Sequence, residues 1–274
     1  MTTMDFWCHQ RLLIIAPHAD DETFGCGGLM AKVKAAGGAV FVIVASVGDL
    51  HQYGVDEPGV TGRTELAGVT ARPVQAAGAG SGESAPGGGG GPARTLVAGT
   101  TRIAELGAAM ATLRVDGYEV LFTDQALHLR LDTVPTRDLI ALIERDARFA
   151  IDRTAPTVLV LPACTYNQDH EALFKAGLAA ARPHLPEHRP FIPIVLASDA
   201  PQLAWYHQPF QPNLFVDISQ HLETKLRAHA CHRSQLKPPP HHASLENLDR
   251  LARVRGAEIS VQAAEAFRCL RFVL

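Results

Sequence analysis

Short runs of consecutive apolar residues recur along the chain at 12–16, 39–46, 118–122, 157–162, 192–197 and 214–218, each bounded by polar or glycine-containing turns. Runs of this length without strict alternation read as strands buried on both faces. Helical spacing fills the intervals. A helix over 29–36 closes at Gly37-Gly38, and Gly25 to Gly28 read as a tight turn leading into it. Ile103, Leu106, Met110 and Leu113 recur behind Thr100 or Thr101 as N-cap. Pro135 opens a helix to about residue 153, and Leu173, Phe174 and Leu178 mark another after the fourth strand. Ser219 caps a helix to about residue 232, and the last helix is expected over 245–266.

Strands alternating with helices predict an α/β fold: a Rossmann-like, doubly wound, mostly parallel sheet with helices on both faces. Right-handed crossovers put the carboxyl ends of the parallel strands at one edge, where such sheets bind ligands. If the chain reverses after strand three, strand one neighbours strand four. Residues 1–274 then form one domain, interrupted by a Gly- and Ala-rich insertion at about 70–95 that carries too few apolar side chains to offset the entropy of ordering.

The ends of strands one and four carry the candidate chemistry. Arg11 to Gly28 reads RLLIIAPHADDETFGCGG, in which His18, Asp20, Asp21 and Glu22 follow the first apolar run directly. Unpaired acids crowded at one strand tip repel each other, and a bound cation explains them. The bland alternative is a polar turn with Asp20 or Asp21 as helix N-cap. After strand four, Asp169 and His170 open a helix in the same way. Adjacency of the two strands would bring His170 to His18 and Asp21, a His-Asp-His set with an open position for water, while Asp20 stands beside it as a base. The third strand ends in Thr123-Asp124, another carboxylate at that edge. His241 and His242, in the KPPPHH turn, are read as surface residues because nothing spaces them with a third ligand.

Composition narrows the partners. A formal net charge of -3 and a pI near 6.5 leave no electrostatic footprint for nucleic acid or an anionic membrane. No apolar run approaches the roughly 18 residues of a membrane span, and the N-terminus lacks the pattern of a signal peptide, so a cytoplasmic location is expected. Five scattered cysteines fit reduced thiols better than a disulfide framework.

PHADDE after the first strand, with a later DH after the fourth, resembles the LmbE and PIG-L family of zinc-dependent N-acetylglucosamine de-N-acetylases. TRIAEL at 101–106, KLRAHACHRSQ at 225–235 and AEAF at 264–267 are similar to further family segments. The resemblance implies that His18, Asp21 and His170 hold Zn2+, with iron or cobalt fitting the same donors, and that Asp20 is the catalytic base. It implies that Asp169 orients a neighbour instead of binding metal. Many members read His-x-Asp-His at the second motif, where Asn167 stands here; an amide can donate to an oxyanion but cannot titrate near neutrality. His232 enters as a catalytic candidate by motif alone, and Arg102 and Asp124 fall where the family contacts its sugar.

The implied substrate is a small-molecule N-acetylglucosaminyl conjugate. Composition and the long insertion lean toward antibiotic tailoring of the glycopeptide pseudoaglycone kind; a thiol-cofactor or aminoglycoside precursor is the alternative. Two readings from other classes are a sugar-binding module without catalysis, prompted by Asn167, and a dinucleotide-binding oxidoreductase, prompted by the glycines after strand one. The latter fails on spacing, since GxGxxG would require glycine at Met30.

Overall fold

The first apolar run becomes β1 (Arg11–His18), the central strand. Its side chains alternate between two cores: Leu12, Ile14 and Ala16 join one, Leu13 and Ile15 the other. Burial on both faces is why the run lacks polar alternation. The computed structural model describes residues 6–53, 94–200 and 209–273.

The remaining strands are β2 (Ala39–Ser46), β3 (Leu50–Tyr53), β4 (Arg94–Val97), β5 (Gly117–Phe122), β6 (Val158–Pro162), β7 (Ile194–Ser198), β8 (Leu214–Asp217) and β9 (Ala264–Phe272). Seven of them form one sheet in the order β5-β2-β1-β6-β7-β9-β8. The pairs from β5 through β7 are parallel, whereas β9 runs antiparallel to both β7 and β8. The chain thus reverses beside β1, which lies between β2 and β6, and the carboxyl ends of β1 and β6 flank one crevice.

Helices cover both faces. On one lie α1 (Asp21–Ala35), α2 (Gly99–Leu113), α6 (Leu222–His229) and α7 (Leu245–Ala257); on the other lie α3 (Thr136–Ala141), α4 (Ile151–Thr154) and α5 (Gln168–Ala180). The doubly wound α/β architecture expected from the sequence is the one observed.

Four local expectations are corrected. Gly25 to Gly28 do not form a turn but lie inside α1, which starts at Asp21. A Cβ at Gly28 would come within 2.7 Å of Ile218, and one at Gly25 within 2.8 Å of Ser198, so these glycines serve close packing. The helix expected from Pro135 to about residue 153 breaks after a wide turn at Leu142–Asp146. There the backbone N–H groups of Arg148 and Phe149 donate to the Glu119 carboxylate at 3.1 and 2.7 Å instead of to helical carbonyls.

Residues 47–99, where no apolar run predicts a strand, contain β3 and β4, which pair antiparallel as a separate two-stranded sheet. The last helix ends at Ala257, and AEAF belongs to β9. Ala and Glu favour helix intrinsically, but here tertiary contacts decide. The Glu265 carboxylate, buried, accepts from Gly28 N at 2.8 Å, Leu29 N at 2.7 Å and Lys225 Nζ at 2.5 Å. The expected mobile insertion at about 70–95, up to residue 93, and the aromatics Trp205, Tyr206 and His207 lie outside the described residues.

Candidate metal centre

His18 is the last residue of β1, Asp21 the first of α1, and His170 sits in the first turn of α5. Asp21 Oδ2 is 3.3 Å from Nδ1 of His18 and 3.3 Å from Nε2 of His170, and one donor atom from each of the three residues lies within 4.8 Å of the others. Two imidazole nitrogens and one carboxylate oxygen are a donor set suited to a divalent transition metal.

The remaining nitrogen of His18 is held from behind. Its Nε2 lies 2.9 Å from Oδ2 of fully buried Asp169, whose Oδ1 accepts from the Leu131 backbone N–H at 2.9 Å. That carboxylate selects the tautomer with the proton on Nε2 and leaves the Nδ1 lone pair facing Asp21 and His170. Burial alone would lower the pKa of His18, but hydrogen bonds to Asp169 and Asp21 raise it to about 9. Asp21 is drawn well below the usual carboxylate range, because His170 and His18 outweigh the effect of burial. The pocket therefore favours positive charge at the point where the donors converge.

Asp20 occupies the N-cap position of α1, yet its side chain makes no capping hydrogen bond, so the bland reading of the motif is not realised there. Its backbone has φ 127° and ψ −31°, a conformation that costs a non-glycine residue roughly 1–3 kcal/mol unless the surroundings impose it. They do. The Asp20 N–H donates to Glu22 Oε2 at 2.9 Å, while its carbonyl accepts from Thr23 Oγ1 and from Phe24 N, both at 3.0 Å. Burial and the neighbouring Asp21 raise the Asp20 pKa to about 7 against the pull of His232 and Arg102.

A cavity of about 210 Å³ opens onto this cluster, lined among others by His18, Asp20, Asp21, Arg102, Asn167 and His170. Asn167 caps α5: its Oδ1 accepts from Asp169 N at 2.9 Å, which leaves the amide nitrogen to donate. Arg102 is 2% exposed instead of lying on a solvated helix face. Its Nη1 donates to Gly48 O at 3.1 Å and to His128 Nε2 at 2.8 Å, and its Nε has no partner among the described residues. Burial and the Arg102 charge hold His128 down at about 4, neutral and able to accept that bond.

Two expected site residues are not brought to the cavity. His232 is fully buried with Nε2 2.7 Å from Glu22 Oε1, so it supports the residue that holds Asp20. Asp124 is exposed and accepts from Ala126 N at 2.8 Å, which fixes the turn after β5. Conversely, Glu22, His128 and Tyr166 were not singled out as site residues. Glu22 was legible as the last member of PHADDE, whereas His128 carries no local sequence signal. His242, read as a surface residue, is half-buried and lines the cavity. The oxidoreductase alternative weakens further, since Asp21 and Glu22 occupy the first turn of α1 where a pyrophosphate would bind.

Fold and site together define an α/β protein with a His-Asp-His cluster at the carboxyl edge of its sheet, beside the strand-order reversal. Residues 13–181 match the family model of PIG-L, the GlcNAc-PI de-N-acetylases, and the chain belongs to that family. No curated protein matches the chain by sequence. Several solved structures share its fold, three of which follow. The A40926 pseudoaglycone deacetylase Dbv21 is 22% identical with a TM-score of 0.59, covering 97% of this chain and 99% of its own. The N,N'-diacetylchitobiose deacetylase of Pyrococcus horikoshii is 20% identical with a TM-score of 0.58, covering 95% and 83%. GalB, the 4-carboxy-2-hydroxymuconate hydratase of Pseudomonas putida KT2440, is 18% identical with a TM-score of 0.60, covering 96% and 97%. Since a hydratase shares the fold, the fold alone does not assign the reaction.

Proposed function

We propose that this chain is a metal-dependent amide hydrolase that removes the N-acetyl group from an N-acetylglucosaminyl conjugate. The observation that carries the reading is the convergence of His18, Asp21 and His170 beside a cavity that Asp20 also lines. The family model, named for an N-acetylglucosaminyl amide, supports the same bond.

His18, Asp21 and His170 would hold the ion, and the donor set favours zinc, with iron or cobalt as alternatives. Such an ion lowers the pKa of a bound water and polarises the acetamide carbonyl. Asp20 takes the proton of the attacking water, a role suited to a carboxylate whose pKa lies near neutrality. Asn167, through its amide nitrogen, and Arg102, through its buried guanidinium, donate toward the developing oxyanion or the sugar hydroxyls. Asp169 orients His18 without binding metal. Leaving-group protonation cannot come from Asn167.

Antibiotic tailoring is the preferred context on composition and the long insertion, ahead of thiol-cofactor or aminoglycoside precursors, with the reaction placed in the cytoplasm. Acetate release from a panel of N-acetylglucosaminyl compounds tests the reading. Turnover that falls at least about 100-fold in Asp20→Asn supports it. No acetate from any member of the panel with metal-loaded protein would exclude it.

A further inference from the structure

We propose that His242 is the general acid that protonates the departing amine, supplying from the turn before α7 the imidazole that the Asn167 position lacks. This rests on the amide-hydrolase reading above. The cavity of about 210 Å³ is smaller than the roughly 300–1,000 Å³ of drug-sized sites, so its lining side chains share one small space. His242 lines this cavity together with Asp20 and the His18-Asp21-His170 cluster.

Few of the described lining residues can supply that proton. His18 and His170 are committed to the ligand set. Asn167 cannot give up a proton, and its Oδ1 is taken by the α5 cap. Arg102 stays protonated, and Tyr166, 58% exposed, belongs to the solvent-facing rim. Asp20 accepts the proton of the water, and return of that proton to the amine is the competing route, which the behaviour of His242→Gln separates. Apart from Asp20, His242 is the lining side chain that can exchange a proton near neutrality.

The turn that carries it is built to hold still. Asn247 Nδ2 donates to Pro240 O and to His241 O, both at 2.7 Å, and His241 Nδ1 accepts from Ala243 N at 3.1 Å. The His241 and His242 rings lie 4.2 Å apart at 30°. Burial and the His241 ring lower the His242 pKa, so its protonated form is a stronger acid, though less populated at neutrality.

The step balances. Water adds to the amide carbon as its proton passes to Asp20. The C–N bond then breaks with its electron pair going to nitrogen, and nitrogen takes a proton from the His242 imidazolium. Asp20 releases its proton and His242 regains one from solvent, so amide plus water gives acetic acid plus amine, which part at neutral pH as acetate and an ammonium.

The test compares an N-acetylglucosaminyl amide with p-nitrophenyl acetate, whose nitrophenolate departs without protonation. In His242→Gln, kcat on the amide should fall about 10²- to 10⁴-fold while ester cleavage and metal content stay within a few-fold of wild type. Added imidazole should restore amide cleavage to His242→Gly. Unchanged amide turnover, equal loss on both substrates, a rise in KM alone, or no response to imidazole would overturn the assignment while leaving the hydrolase reading intact. A wild-type protein inactive on every amide would overturn both.

Discussion

Oδ2 of Asp169 lies 2.9 Å from Nε2 of His18, across 151 residues of chain. The contact joins the helix after β6 to the end of β1 and fixes which nitrogen of His18 faces the donor cluster. Replacing Asp169 with Asn keeps an acceptor for Leu131 N but removes the negative charge that faces His18 Nε2. Asp169→Asn is expected to bind zinc about 10- to 100-fold more weakly than wild type, measured by competition with a chromogenic chelator.

Glu22 ties three elements together. One carboxylate oxygen holds the strained Asp20 peptide, and the other faces His232 after α6. Glu22 and His232 are both fully buried. Glu22→Ala leaves the imidazole and the Asp20 N–H without their acceptor, and a loss of about 3–5 kcal/mol is expected in denaturant unfolding.

His229 sets one limit on acid stability. Its Nδ1 lies 3.0 Å from Thr23 Oγ1, and burial, with His232 and Lys225 nearby, lowers its pKa from 6.5 to about 3. Between those values the unfolded chain binds a proton that the folded chain does not. Stability therefore falls as pH drops below about 6.5, by up to about 1.4 kcal/mol per pH unit for one proton, and this group contributes no slope above that range. Calorimetric melting at pH 7.5 and pH 5 should show part of this slope missing in His229→Gln, which cannot titrate.

Legibility in the sequence followed the locality of the signal. Leu12 to Ala16 and His18 to Glu22 sit together, so strand and cluster could be read from one stretch, and strand adjacency then led to His170. Contacts between distant segments were hidden. The glycines of α1 look like a turn until Ile218 and Ser198 are seen against them. Helix formers in AEAF become a strand because Glu265 is claimed by α1 and α6. Arg102 has the spacing of a helix surface residue, but Gly48 and His128 draw it inward. His242 has no ligand-like neighbour in sequence and reaches the cavity only through the fold of the proline turn.

That His18 and His170 share one ion is tested most directly by the metal content of the purified protein, measured by mass spectrometry beside His18→Ala and His170→Ala. About one zinc per native chain, lost in both variants while each remains folded, is expected of a three-residue site. A native protein that takes up no metal after zinc is added back, or variants that each retain a full equivalent, would contradict it.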